Sequence, residues 1–292
     1  MRRPKEKIIE KLLAMSGWLT ILTTLGILVI LVYESAQFFA DVSIWEFLTG
    51  TEWTPLFSKK EFGILPLLTA TLLTSVIALL VALPIGLSIA IYLNEYANRK
   101  FRSTVKPMLE VLASVPTVVY GFFALTIITP FLQSFIPGLA GFNSISPGIV
   151  MGIMIIPMIS SLSEDALFAV PKSLRDASYG MGATRFQTVF RVLIPSASSG
   201  IIVSIILAIS RAIGETMIVA IAAGQQPNFT FNPLVPVETI TTYIVQVSLG
   251  DVPRDSIEYR TIFAAGMVLF IITFVMNNVS LWLKRKYHRQ YE

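Results

Sequence analysis

Long stretches without a charged side chain are the feature that most constrains how this chain can fold. They run for 22, 33, 53, 19 and 23 residues, at Leu12–Tyr33, Phe62–Asn94, Val111–Ser163, Val192–Ser210 and Thr261–Leu283. A helix needs about 20 mainly apolar residues to cross the hydrocarbon core of a bilayer. The 53-residue stretch is too long for one span, and proline and glycine residues between 130 and 147 divide it into two.

The composition indicates a chain embedded in a lipid bilayer and excludes several classes of functional site. Charged residues make up 14% of the 292 residues, against about 25% in soluble domains, and the mean hydropathy is +0.72. Cysteine is absent, which excludes disulfides, thiolate metal sites and cysteine nucleophiles. The single histidine, His288, lies in a basic tail, which excludes a histidine metal cluster. We therefore predict no catalytic residue, no metal and no cofactor.

These stretches predict an all-α, polytopic membrane protein with six transmembrane helices. The predicted spans lie near residues 12–33, 64–93, 110–130, 147–163, 196–223 and 261–283. Cytoplasmic segments of membrane proteins are enriched in Lys and Arg. Here one side holds 17 of these residues and the other side 4, so both termini are predicted to be cytoplasmic. Trp45 and Trp53 follow the first span and are predicted to anchor at the outer interface.

The predicted cytoplasmic loop between the fourth and fifth spans has an informative spacing of small residues and proline. Asp176, Ala177 and Ser178 are followed by Gly182, and Pro195 closes a Val-Leu-Ile-Pro run further on. The pattern predicts a short amphipathic helix, a glycine turn and a second short helix. Proline suits the first turn of the next helix, because its missing N–H is not needed there.

This spacing resembles the E-A-A-x3-G-x9-I-x-L-P loop of ABC-importer permeases. The resemblance implies that residues 176–182 belong to a coupling helix, which docks on a separate ATP-binding subunit. It also implies a type I ABC-importer permease (MetI-like) core of five helices, preceded here by one accessory helix. The chain has no G-x-x-x-x-G-K-[ST] loop to bind ATP phosphates. We therefore predict that it is not an enzyme and that another subunit hydrolyses ATP.

Two charges lie inside the fifth predicted span. Arg211 and Glu215 are four residues apart, so in a continuous helix they face the same side. An arginine at bilayer depth costs about 2.5–3.5 kcal/mol on insertion scales, so the pair should face protein or water. Two interpretations stay open: an ion pair that fixes helix packing, or a contact on an anion pathway, since arginine binds oxyanions with paired hydrogen bonds. The hydroxyls of Ser114 and Thr117, on either side of Val115 and Pro116, are further candidates for that pathway.

The run Arg211–Met217 is similar to the R-A-[LI]-G-E-T-M motif of phosphate-specific (Pst-type) ABC permeases, and Ala113–Gly121 resembles their proline-bearing third helix. The segment Glu52-Trp-Thr resembles the PstC-type permease more than its PstA-type partner. The resemblance covers residues 45–283. It implies that this chain forms half of the translocation pathway of an ATP-driven phosphate importer, in a bacterial cytoplasmic (inner) membrane. The implied partners are membrane lipid, a second permease subunit in a heterodimer, a dimer of ATP-binding subunits and an external phosphate-binding protein, with no nucleic acid.

The domain organisation follows from the spans and the resemblance. Residues 1–61 are predicted to form the accessory helix and an outer segment. Residues 62–283 are predicted to form the permease core, including the coupling loop 164–195, and residues 284–292 a basic cytoplasmic tail. The alternatives are a permease for molybdate, tungstate or sulfate, an ion-coupled secondary transporter with Glu215 as its proton site, or a membrane scaffold or sensor.

Overall fold

The chain is described by a computed structural model over residues 4–288, with side chains over residues 9–283. It is built from helices, and the described residues contain only two isolated β-bridges. This confirms the predicted all-α class. The helices in chain order are α1 (Pro4–Asp41), α2 (Ile44–Thr49), α3 (Leu65–Ile91), α4 (Arg99–Ser114), α5 (Thr117–Phe123), α6 (Thr129–Gln133), α7 (Ile145–Phe168), α8 (Lys172–Gly180), α9 (Arg185–Thr188), α10 (Ile194–Ile213), α11 (Met217–Ala222), α12 (Ile240–Leu249) and α13 (Ile257–His288), with π-helical turns at Tyr92–Tyr96, Ala124–Ile128 and Val189–Leu193.

The number of candidate membrane spans agrees with the prediction. Four helical segments are long and apolar enough to cross a bilayer on their own, at Ile9–Asp41, Leu65–Tyr96, Ile145–Phe168 and Ile257–Leu283. Two bent pairs pass the same test together, Arg99–Ser114 with Thr117–Gln133 and Arg185–Ser196 with Ser198–Ile213. If each bent pair is one span, the described residues contain six.

The third predicted span, 110–130, is not a single helix. Its two parts, α4 and α5, meet at an angle of 85°. Val115 is extended, with ψ of 130°, and Pro116 stands before the first residue of α5. A proline disfavours the helical conformation of the residue before it, which explains the break. Helix α4 places charged side chains along one face and buries no residue, which is typical of a helix that lies in the membrane interface.

The fifth predicted span, 196–223, is also interrupted. Helix α10 ends at Ile213 and is capped by Gly214, and the short helix α11 begins at Met217. A bend of 71° lies near the start of α10, next to a π-helical turn, and such turns are a known cause of helix kinks. The prediction also omitted α12, a short apolar helix between the fifth and sixth predicted spans.

The core of the molecule is the contact between α3 and α7. Glycine lets the two backbones approach closely: a Cβ atom on Gly152 would lie 2.8 Å from the carbonyl oxygen of Ala78. Small residues at helix contacts are common in membrane proteins, where close packing replaces the hydrophobic driving force. The buried cluster around this contact also includes residues of α5, α10 and α11. The helices of both broken spans therefore pack against the pair formed by α3 and α7.

A second cluster, the outer aromatic cluster, joins residues 38–62 to α12. Its rings meet edge to face and are those of Phe38, Phe47, Trp53, Phe62 and Tyr243. Trp53 is 1% exposed, so its predicted role as an interfacial anchor is wrong; Trp45 is 76% exposed. The described part of the outer segment therefore packs against the helices that follow it. The side chains of the predicted basic tail, 284–292, lie outside the described residues, and the division into three segments stays a prediction.

Candidate functional site

A cavity of about 360 Å³ contains the intramembrane arginine. Helix α10 contributes Arg211 to its wall, α4 contributes Lys106 and Glu110, and α7 contributes Glu164. The remaining lining is mostly apolar and includes Pro157, which lies within α7. The cavity therefore combines two basic and two acidic side chains with apolar walls, on a face formed by three of the helices.

Glu164 is the most buried charge of this cavity and was not predicted. Its side chain is 1% exposed and lies 2.6 Å from the guanidinium of Arg102 and 2.8 Å from the ammonium of Lys106. Within the described part of the chain, the two carboxylate oxygens have no hydrogen-bond partner besides these cations. A sequence signal was available, because Arg102, Lys106 and Glu110 are four residues apart and share one face of α4. The ion pairs hold α4 against α7.

Arg211 is exposed in this chain, and no acidic side chain of the described residues forms an ion pair with it. Of the two acidic residues that line the cavity, Glu164 binds Arg102 and Lys106, and Glu110 forms no ion pair among the described residues. A free guanidinium on the wall of a cavity presents several N–H donors in one plane, the geometry that binds tetrahedral oxyanions. The arrangement is therefore able to bind an anion without first breaking an ion pair.

The predicted relation of Arg211 and Glu215 on one helix face is wrong. Helix α10 ends between the two residues. Glu215 is 8% exposed, and its Oε1 accepts hydrogen bonds from the backbone N–H groups of Met217 and Ile218, at 3.1 and 3.4 Å. These N–H groups open α11 and have no partner within their own helix. The carboxylate therefore stabilises the start of α11 instead of orienting Arg211.

The other predicted pathway residues lie at the break between α4 and α5. Ser114 is the last residue of α4 and donates its hydroxyl hydrogen to the carbonyl oxygen of Val111, at 2.8 Å. Thr117 is the first residue of α5. Neither lines the cavity of Arg211, whereas Ala113, the neighbour of Ser114, does. The structure thus brings the break close to the cavity but turns the Ser114 hydroxyl toward its own helix.

The predicted coupling loop has the expected local structure. Asp176, Ala177 and Ser178 lie in α8, which has no buried residue. Gly182 follows with φ of +81°, the left-handed region that favours glycine. Thr184 then caps α9, with Gln187 closing a reciprocal pair of hydrogen bonds. The described surface of this loop is therefore a short exposed helix that ends in a defined turn.

Two polar contacts hold this loop in place, one between its own short helices and one to a membrane-spanning helix. The hydroxyls of Ser178 and Thr188 are 2.9 Å apart and join α8 to α9. Arg175 lies 2.6 Å from Glu95, at the end of the span that contains α3. Pro195 occupies the first turn of α10, as predicted. The pair of Arg175 and Glu95 was not predicted, and it links α8 directly to a membrane-spanning helix.

Comparison with known proteins identifies the family. Residues 82–289 match the family described as binding-protein-dependent transport system inner membrane component. The chain is 35% identical to the probable ABC transporter permease protein YqgH of Bacillus subtilis, over 80% of this chain and 75% of that protein. It is 32% identical to the phosphate transport system permease protein PstC of Mesorhizobium japonicum, over 82% and 78%. It is 30% identical to PstC of Haemophilus influenzae, over 92% and 89%.

Solved structures support the fold. A bacterial alginate ABC transporter, determined in complex with a periplasmic protein that binds an alginate pentasaccharide, has a chain similar to this one at 19% identity. That match has a TM-score of 0.62 and covers 100% of this chain and 99% of that chain. An inward-facing methionine transporter MetNI is similar at 18% identity, with a TM-score of 0.56 and coverage of 77% and 94%. Together the matches confirm the resemblance that the loop spacing and the arginine motif indicated.

Proposed function

The chain belongs to the family of binding-protein-dependent transport system inner membrane components and is a permease subunit of an ABC transporter, and from this premise we propose that it imports phosphate. The observation that supports this best is the exposed Arg211 on the wall of the 360 Å³ cavity, without an ion-pair partner among the described residues. The phosphate permeases among its relatives agree with this cargo.

Arg211 is proposed to bind phosphate as it passes through the cavity. A guanidinium donates two parallel hydrogen bonds to an oxyanion, which fixes its orientation as well as its charge. Lys106 lines the same cavity but is held by Glu164, so it adds positive potential without a free donor set. The nearby acidic groups keep the cavity from becoming a strong anion trap, which a transport pathway requires if the ion is to leave.

The loop around α8 is proposed to transmit the movement of the ATP-binding subunits. Asp176, Ala177, Ser178 and Gly182 form the exposed helix and turn that the partner would contact, and Pro195 starts the span that receives the movement. The ion pair between Arg175 and Glu95 supports this role, because it connects α8 to the end of the α3 span. The partners proposed are a second permease subunit, two ATP-binding subunits and an external phosphate-binding protein, in a bacterial cytoplasmic membrane.

The test is uptake of radiolabelled phosphate in cells that lack this chain. Wild type should restore uptake that needs ATP and ignores excess molybdate or sulfate. Arg211→Ala should lower uptake about tenfold or more, since hydrogen bonds to charged groups contribute about 1.5–3 kcal/mol. Arg211→Lys should recover only part of the loss, because lysine lacks the planar fork. Arg254→Ala, an exposed arginine outside the spans, is the matched control.

Several outcomes would overturn this function. Inhibition by molybdate, tungstate or sulfate would assign the permease to another oxyanion. Uptake that follows an ion gradient without ATP would favour a secondary transporter. The contacts of Glu215 argue against that alternative, since its carboxylate is occupied by the backbone N–H groups of α11. Normal uptake by Arg211→Ala, at an unchanged amount of complex in the membrane, would remove Arg211 from the pathway.

A further inference from the structure

A second cavity, the outer cavity, lies on the side predicted to be outside the cell. It measures about 140 Å³ and lies between the segment after α2, the segment after α11, and α12. Two buried polar atoms in its lining have no hydrogen-bond partner among the described residues: the indole Nε1 of Trp53 and Oε1 of Glu238. The two side chains are 1% and 2% exposed. Buried polar groups are nearly always paired, so two orphans in one small cavity point to an absent ligand.

The chemistry of the outer cavity suits a cation. Glu238 forms no ion pair with any described Lys or Arg, and burial raises its pKa to about 7. Trp53 and Tyr243 form aromatic walls, with ring centroids 5.0 Å apart. A carboxylate beside aromatic rings attracts an ammonium group through both the charge and the ring faces. The indole N–H needs an acceptor, such as a backbone carbonyl beside that ammonium group.

The charge of the predicted outer segments also favours a basic partner. The predicted outer segments contain nine Asp and Glu residues against four Lys and Arg, and complementary charge guides protein association. The volume of 140 Å³ holds the end of one side chain, and lysine carries its charge on a compact group.

We propose that the outer cavity receives a lysine side chain of the external phosphate-binding protein, with its ammonium group on Glu238 and a neighbouring backbone carbonyl accepting from Trp53. This inference rests on the proposed function, because the partner is the binding protein of a phosphate importer. It adds the residues that would recognise that protein and the class of side chain that they would bind.

The outer cavity is connected to the helix break beyond Arg211. Glu238 directly precedes Thr239, which caps α12. Two residues later, the hydroxyl of Thr241 donates to the backbone oxygen of Glu215, at 2.7 Å. On the opposite wall, Gln225 has φ of +50° and donates its side-chain N–H to the carbonyl oxygen of Ala220 in α11. A lysine bound at Glu238 would therefore act on both ends of the short segment that follows Arg211.

The experiment measures binding of the phosphate-loaded binding protein from the same cell to the complete transporter in lipid nanodiscs. Glu238→Gln keeps the shape of the side chain and removes its charge, and should weaken binding about tenfold. Glu52→Gln removes an exposed carboxylate from the same outer side and should change affinity less than twofold. Acetylating the lysines of the binding protein, with phosphate binding to it verified, should abolish the difference between wild type and Glu238→Gln.

The outcomes separate this inference from the proposed function. If wild type binds the phosphate-binding protein and Glu238→Gln binds it equally well, the inference is overturned and the phosphate function stands. The inference is also overturned if the difference between the two survives lysine acetylation. If a complex that hydrolyses ATP does not bind the phosphate-binding protein at all, the proposed function has failed, and the inference fails with it.

Discussion

Replacing Gly182 by alanine tests the coupling loop with a single methyl group. Gly182 has φ of +81°, and a Cβ atom there would meet no other atom within 4 Å. The penalty is therefore one of backbone conformation alone, about 1–2 kcal/mol for an L-residue in the left-handed region. If the ATP-binding subunit recognises this turn, its affinity for the permease should fall by about 5–30-fold.

Gly180→Ala is the matched control for this change. Gly180 ends α8, has no atom within 4 Å of an added Cβ, and does not have a positive φ. Alanine favours the helix by about 0.5–1 kcal/mol relative to glycine, so this variant should bind the ATP-binding subunit at least as well as wild type does.

The assay titrates purified ATP-binding subunits onto permease in nanodiscs and measures phosphate uptake per ATP hydrolysed. Gly182→Ala should show weaker subunit binding and less uptake per ATP, with the permease remaining folded. Unchanged affinity and uptake in Gly182→Ala would refute the assignment of this turn to the subunit contact. An equal loss in Gly180→Ala would show that the loop responds to any added methyl group, which would also refute it.

Three further predictions follow from single contacts. Arg175→Met should lower ATP-driven uptake about fivefold, because it leaves the carboxylate of Glu95 without its cation. The charge swap Arg175→Glu with Glu95→Arg should show more uptake than Arg175→Glu alone. Gly152→Ala should destabilise the protein by about 1–3 kcal/mol, because its Cβ would lie 2.8 Å from a backbone oxygen of α3. Gly26→Ala changes a residue within α1 where no atom lies within 4 Å of the added Cβ, and it should leave the melting temperature unchanged or raise it, since alanine favours a helix over glycine. Without the binding protein, Glu238→Gln should stabilise the chain by up to about 3 kcal/mol at pH 8 and progressively less toward pH 4.5. Burial raises the pKa of Glu238 from 4.5 to about 7, so the folded state of the wild type loses stability as that carboxyl group ionises. Thermal unfolding of both proteins at the two pH values measures this, and an equal difference in stability at pH 8 and pH 4.5 would contradict it.

The membrane spans and the coupling loop were predictable because their signals are local. The spans follow from five long runs without charge, one of which proline and glycine divide into two, and these runs can be read directly from the order of residues. The loop depends on Gly182 and Pro195, whose backbone preferences act at their own positions. The turn at Gly182 and the start of α10 at Pro195 accordingly have the structure that the spacing predicted.

The continuity of the spans was harder to predict. Residues 196–223 are apolar apart from two charges, so the sequence favours one long helix, yet α10 stops at Ile213. The break is stabilised locally by Glu215, which accepts from the first N–H groups of α11, and from a distant segment by Thr241, which donates to the backbone oxygen of Glu215. The interpretation of Arg211 and Glu215 as helix neighbours failed because it assumed that no such contact exists.

The order of residues by itself determined that this protein lies in a membrane, how many spans it has and to which family it belongs. These properties depend on the spacing of charged residues along the chain and on short sequence motifs. Both can be read without knowing which helices pack together. Only the tertiary structure decided which charges are paired and which remain free. Trp53, Glu164 and Glu238 are buried by segments far away in the chain. Glu164 binds cations of α4, and Arg211 remains unpaired among the described residues. Burial and pairing depend on the packing of whole elements, and among the described residues this packing leaves the guanidinium of Arg211 without an ion pair in the 360 Å³ cavity and the carboxyl group of Glu238 without one in the outer cavity.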